Sequence, residues 1–163
     1  MRVLWLLLIS TAVAPLAGSP IVLHSALAFE VIVNANNPLV DISLSKLRDI
    51  LLGNTREWPN RHRITFVQRE AQNPLVSDVL RQVLAMSIRD YTRYLLQLEF
   101  KGSEPLQMKT LVSDEGTCEF VRNAPGALGF ISGTVLSSLP CAHQVRILLI
   151  TGAAHQPNIA GSR

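Results

Sequence analysis

Apolar positions recur along this chain with two periods, and the switches between them mark its elements. Leu44, Leu47, Ile50 and Leu51 fall at three- and four-residue spacing, which predicts one stripe of a short helix. Ser43 stands where its hydroxyl can accept from a first-turn N–H. Gly53 follows the last apolar residue, where a left-handed terminating residue is needed. Asn54-Thr55 turns the chain, and Trp58-Pro59-Asn60 forms a rigid corner. Glu30 to Asn34 upstream and Arg63 to Gln68 downstream read as strands. Strand, helix and strand in this order predict a βαβ unit with a right-handed crossover.

The later pattern continues in the same style. Asn73 caps a second helix and Pro74 takes its first position, where a missing N–H costs nothing. Leu75, Val76, Val79, Leu80, Val83 and Leu84 give that helix a broad apolar face for packing on a sheet. Ser87 with Asp90 opens a third helix, buried along Tyr91, Tyr94, Leu95 and Leu98 and ended by Phe100-Lys101-Gly102. Lys109 to Val112 fits a short strand or a turn. Ser113-Asp114-Glu115 starts a fourth helix, its acids placed at the positive end of the dipole. Ala127 to Ile131 and Val145 to Ile150 complete the strands; the last is apolar throughout, which predicts a central or covered position. The expected architecture is one α/β domain, a three-layer αβα sandwich around a mixed sheet of about four or five strands.

The first 28 residues stand apart. Met1-Arg2, an apolar run through Val3–Ile9 and Ala12–Leu16, and the small-x-small site Ala26-Leu27-Ala28 predict a secretory signal peptide, cleaved before Phe29. Pro15, Gly18, Ser19 and Pro20 interrupt the run short of the ~20 residues that span a bilayer. No stable membrane insertion is expected, and the mature domain is expected over residues 29–150, exported to the periplasm. Residues 151–163 are small, polar and unpatterned, and read as a flexible tail. The formal net charge of +3 is spread among acids, which argues against nucleic acid and tolerates an anionic ligand without predicting one. Cys118 and Cys141, the two cysteines, either form a bridge in an oxidising compartment or are two separate small buried residues.

Three segments carry a family likeness. Val33-Asn-Ala-Asn-Asn-Pro-Leu-Val40, the run Leu44 to Gly53 with Trp58 after it, and Ala124-Pro-Gly-Ala-Leu-Gly-Phe130 together resemble the second lobe of periplasmic phosphate-binding proteins, the solute receptors of ABC uptake systems. The resemblance covers nearly the whole mature chain but only one lobe of a normally two-lobed type II receptor. It implies phosphate or a related oxyanion as ligand, and a second lobe or protein partner supplied in trans.

The candidate site is the turn Gln68-Arg69-Glu70-Ala71-Gln72-Asn73-Pro74. Ligands of open α/β sheets bind beyond the carboxyl ends of strands, and a helix N-terminus there suits an oxyanion. Arg69 matches the arginine that the resemblance implies, while Gln72, Asn73 and Pro74 replace its Ser-Gly-Thr run, removing two hydroxyls and one N–H. Arg69 is thus either a ligand contact or a charge paired with a neighbour. Asn36 and Asn37, with Asn34, offer further amide donors at the same edge or form an ordinary Asn-Asn-Pro turn. Trp58 reads as a packing anchor. No esterase elbow, P-loop or His-Glu-x-x-His pair occurs, and His62, His143 and His155 are not spaced as metal ligands, so neither enzyme activity nor a cofactor is expected. The readings left open are a weak oxyanion receptor and an interaction or accessory module that keeps the fold without the ligand. N-terminal sequencing of the exported protein is expected to begin near Phe29; membrane-bound material with residues 1–28 intact would contradict the signal peptide.

Overall fold

The computed structural model describes residue 27, residues 29–104 and residues 106–152. Apart from Leu27, the expected leader lies outside the described residues, as do residues 153–163 and His155. Six strands form one sheet: β1 (Phe29–Asn34), β2 (Asp41–Ser43), β3 (Thr65–Arg69), β4 (Met108–Leu111), β5 (Ala127–Ser132) and β6 (Val145–Thr151), in the spatial order β2-β6-β1-β5-β3-β4. The strand beyond the expected four or five is β2, three residues long and too short for a period to register. β6 runs through Thr151, which pairs with Ser43, so that residue belongs to the sheet and not to a tail.

The expected βαβ unit is not formed. β5 lies between β1 and β3, antiparallel to the first and parallel to the second, so β1 and β3 run in opposite directions. A crossover rule written for parallel strands has no application here. The element that intervenes arrives some sixty residues after β3, and nothing in the local pattern announces it. β6 is paired on both edges, as its apolar run suggests, but one of its faces is open: Ile147 and Leu149 are exposed.

Helices pack on both faces of the central strands, where alternating side chains point to opposite sides. On one side, α1 (Leu44–Leu51), α2 (Pro74–Val79) with its π-helical continuation Leu80–Leu84, and α3 (Ile88–Phe100) pack on Val31, Val33, Phe66 and Phe130. On the other, α4 (Asp114–Asn123) and the short α5 (Gly133–Leu136) meet Ile32, Val67, Ala127 and Ile131. Phe29 and Phe66 both stand edge-on to Phe130, with ring centroids 5.3 and 5.6 Å away. Ser43, Asn73, Ser87 and Ser113 each cap their helix through a side-chain oxygen.

The end of α1 is held twice. Gly53, at φ +74°, lets its own N–H reach Ile50 O and that of Asn54 reach Asp49 O, the paired bonds of a left-handed helix terminus. The phenols of Tyr91 and Tyr94 then donate to Leu51 O and Leu52 O at 2.7 and 2.8 Å, docking α3 on α1. Burial, with a smaller push from Tyr94, raises the Tyr91 pKa well above the ordinary phenol value.

The corner after α1 joins two distant segments. Trp58 is 2% exposed, and its Nε1 donates to Gly126 O at 3.0 Å. Thr65 N donates to the same carbonyl at 3.0 Å. A Cβ on Gly126 would lie 1.9 Å from Arg63 O, so only glycine fits. Cys118 of α4 and Cys141 are disulfide-bonded, both buried, with Cα atoms 6.1 Å apart.

Replacing Trp58 with alanine is expected to cost roughly 3 kcal/mol or more in chemical denaturation. Gly126→Ala, which forces backbone apart, should cost roughly 2 kcal/mol or more. Gly53→Val should cost about 1 kcal/mol, since open space surrounds it and only its φ resists. Unchanged midpoints for Trp58→Ala and Gly126→Ala would refute this corner. Reducing Cys118–Cys141, whose ends are 23 positions apart in sequence, should lower stability by roughly 3 kcal/mol, read by comparing denaturation with and without dithiothreitol.

Candidate functional site

Arg69 is the last residue of β3, at the sheet edge where the parallel strands β3, β4 and β5 all terminate. A turn closed by Asn73 N donating to Glu70 O leads from it into α2. Pro74 starts that helix without an N–H. The next two donors are already in use: Asn73 Oδ1 accepts from Leu75 N, and Asn73 O accepts from Val76 N, both at 3.0 Å. Gln72 and Glu70 are exposed on the turn. The N–H groups that would receive an oxyanion here are therefore satisfied by the turn itself.

The Arg69 side chain takes the other face of the sheet. Its Nη1 donates to Asp114 Oδ1 at the start of α4, and Nη2 donates to Val112 O at 2.7 Å. The pair is largely buried, with side chains 11% and 23% exposed. Removing either partner would leave the other charge partly desolvated and alone, which is costly. Nε is buried without a partner. The same end of the sheet also presents Glu30, level with Ile131 of β5, and Glu115, next to Asp114 in the first turn of α4. Paired with Asp114, the cation gives an incoming anion little net attraction.

The asparagines do not join this site. Because β1 runs against β3, its carboxyl end lies at the opposite edge, which corrects the expectation of a shared one. Arg69 is level with Glu30, and Asn34 is four residues further along β1, about 13 Å at the rise of a strand, with Asn36 and Asn37 beyond. Asn34 has a structural task that local reading missed. Its Nδ2 donates to Val121 O and Arg122 O, capping the carboxyl end of α4, while its Oδ1 accepts from Asn36 N. Asn37 is 1% exposed; its Oδ1 accepts from Leu39 N, and its Nδ2 is buried without a partner. Asn36 is exposed. Of the expected ligand residues, then, the fold brings Arg69, Gln72 and Asn73 to one turn and leaves Asn36 and Asn37 at the far end.

Asp114 is the site residue that the sequence concealed. It reads as an ordinary acid in a first helical turn, and its place beside Arg69 follows only once β4 is inserted next to β3. Among the described residues no group of three or more His, Cys, Asp or Glu side chains is arranged to hold a metal ion.

No family model and no curated protein matches the chain. Solved structures do. PstS from Borrelia burgdorferi superposes with a TM-score of 0.57 at 15% identity, over 79% of this chain and 49% of that one. An ABC-type phosphate transport receptor from Vibrio cholerae gives 0.56 at 20% identity, over 76% and 47%. A phosphate-binding protein from Stenotrophomonas maltophilia gives 0.55 at 13% identity, over 77% and 39%. The chain spans about half the length, or less, of these receptors. At such identities the likeness is one of fold, and on that evidence the chain has the α/β fold of one lobe of a phosphate ABC transporter substrate-binding protein.

Proposed function

We propose that this chain is a periplasmic, single-lobe domain of the phosphate-receptor fold that works as an accessory or protein-interaction module in solute uptake, without tight oxyanion binding and without catalysis. The observation that carries the reading is the pairing of Arg69 with Asp114. The cation that would anchor a phosphate is neutralised within the fold, and the neighbouring helix N–H groups are spent on Asn73. The signal-like residues 1–28 support export. Among the described residues no helix is long and apolar enough to cross a membrane.

A second reading, weak oxyanion binding at Arg69, is favoured by the place of that cation at the end of β3, one turn before the start of α2. A single lobe leaves such a ligand with an open, wet side, where water competes for each contact. Calorimetric titration of phosphate and sulfate into the mature protein separates the two. The expected wild-type constant is no tighter than about millimolar, near 4 kcal/mol. Asp114→Asn, which frees the guanidinium, should tighten any phosphate binding roughly tenfold, and added salt should reverse the gain. A micromolar wild-type constant that is lost in Arg69→Ala would establish the receptor reading instead. A micromolar constant indifferent to Arg69→Ala would refute both.

A further inference from the structure

Helix α3 carries an outward stripe that the fold leaves uncovered. Arg89, Thr92, Arg93, Leu96, Glu99 and Phe100 recur at three- and four-residue spacing and are all exposed, Leu96 by 49% and Phe100 by 89%. Beside the stripe an apolar groove of about 210 Å³ opens between α3 and the edge strand β4, walled by Leu95, Leu98, Leu106 and Met108. A bare phenylalanine next to a groove is both knob and hole on one face. Such a surface complements a copy of itself under a two-fold axis.

We propose that two copies of this chain associate through α3, the helices crossing antiparallel with Leu96 against Leu96. Charge supports that register. An antiparallel crossing centred on Leu96 sets Arg93 of each copy level with Glu99 of the other, and Phe100 level with Thr92. Each copy thus presents opposite charges at equal distances from the axis, whereas a parallel crossing would set Arg93 beside Arg93. In the single chain Arg93 has only an exposed contact with Asp90 at 3.3 Å, which is weak and exchanged at little cost. The neighbouring strand edge is a poorer surface, since β4 is four residues long and exposes Lys109, features that discourage strand addition. The α3 face lies across the sheet from the Arg69–Asp114 pair, so self-association stands or falls apart from any anion binding.

Sedimentation of the mature protein over micromolar to millimolar concentrations tests this. A concentration-dependent dimer is expected. Leu96→Asp should raise its dissociation constant at least about a hundredfold while leaving the thermal midpoint of the monomer in place, because Leu96 is not a core residue. Arg93→Glu should weaken the dimer about tenfold, and adding Glu99→Arg to the same chain should recover most of the loss. A protein that is monomeric throughout, or a dimer indifferent to Leu96→Asp, would overturn the proposal. Failure of the double variant to recover would overturn the antiparallel register.

Discussion

The carbonyl of Gly126 is the point on which the two halves of this domain depend. It receives the indole N–H of Trp58 and the backbone N–H of Thr65 together, while the missing side chain lets Arg63 press against its own Cα. Those contacts fix where β3 begins relative to β5. The register of Thr65 with Ala127 and Phe66 with Leu128 follows, and with it the edge-on contact of Phe66 with Phe130. A one-residue slip would turn every apolar side chain of β3 to the wrong face. One oxygen and one absent methyl group thus set the centre of the sheet.

Charged side chains gather at both ends of the sheet. The end that terminates β3, β4 and β5 carries Glu30, Glu70, Glu115 and the Arg69–Asp114 pair. The opposite end carries Arg56 and Arg63, both paired with Glu104, Arg122, paired with Glu119, and Arg146. There the hydrogen bond and charge of Arg63, aided by Arg56, hold the Glu104 carboxyl below its usual range.

What could be read without coordinates was whatever is encoded within a few residues. The caps at Ser43, Asn73, Ser87 and Ser113 are each a local competition for backbone N–H groups, and each formed as read. So did the left-handed Gly53 and the buried Trp58. Direction was not local. Whether Asn36 shares an edge with Arg69 depends on which strand fills the gap between β1 and β3, and that strand comes from the other half of the chain. The same holds for Arg69 and Asp114, 45 positions apart and joined only through β4. β2 escaped because three residues make no period, and the bared Ile147 and Leu149 because an apolar strand looks the same whether or not anything covers it.

β1 lies deep in the sheet, yet both of its partners come late: β5 begins at Ala127 and β6 at Val145. A polypeptide emerging amino end first therefore displays a buried-type strand with two bare edges until nearly the whole domain has followed it. Pairings of such long range close slowly, because the loop entropy is lost before the contacts compensate it. The early segments can settle their helices, but the sheet cannot be assembled from the front. During synthesis the sheet therefore stays incomplete for most of the length of the domain, and closes only when β6 arrives.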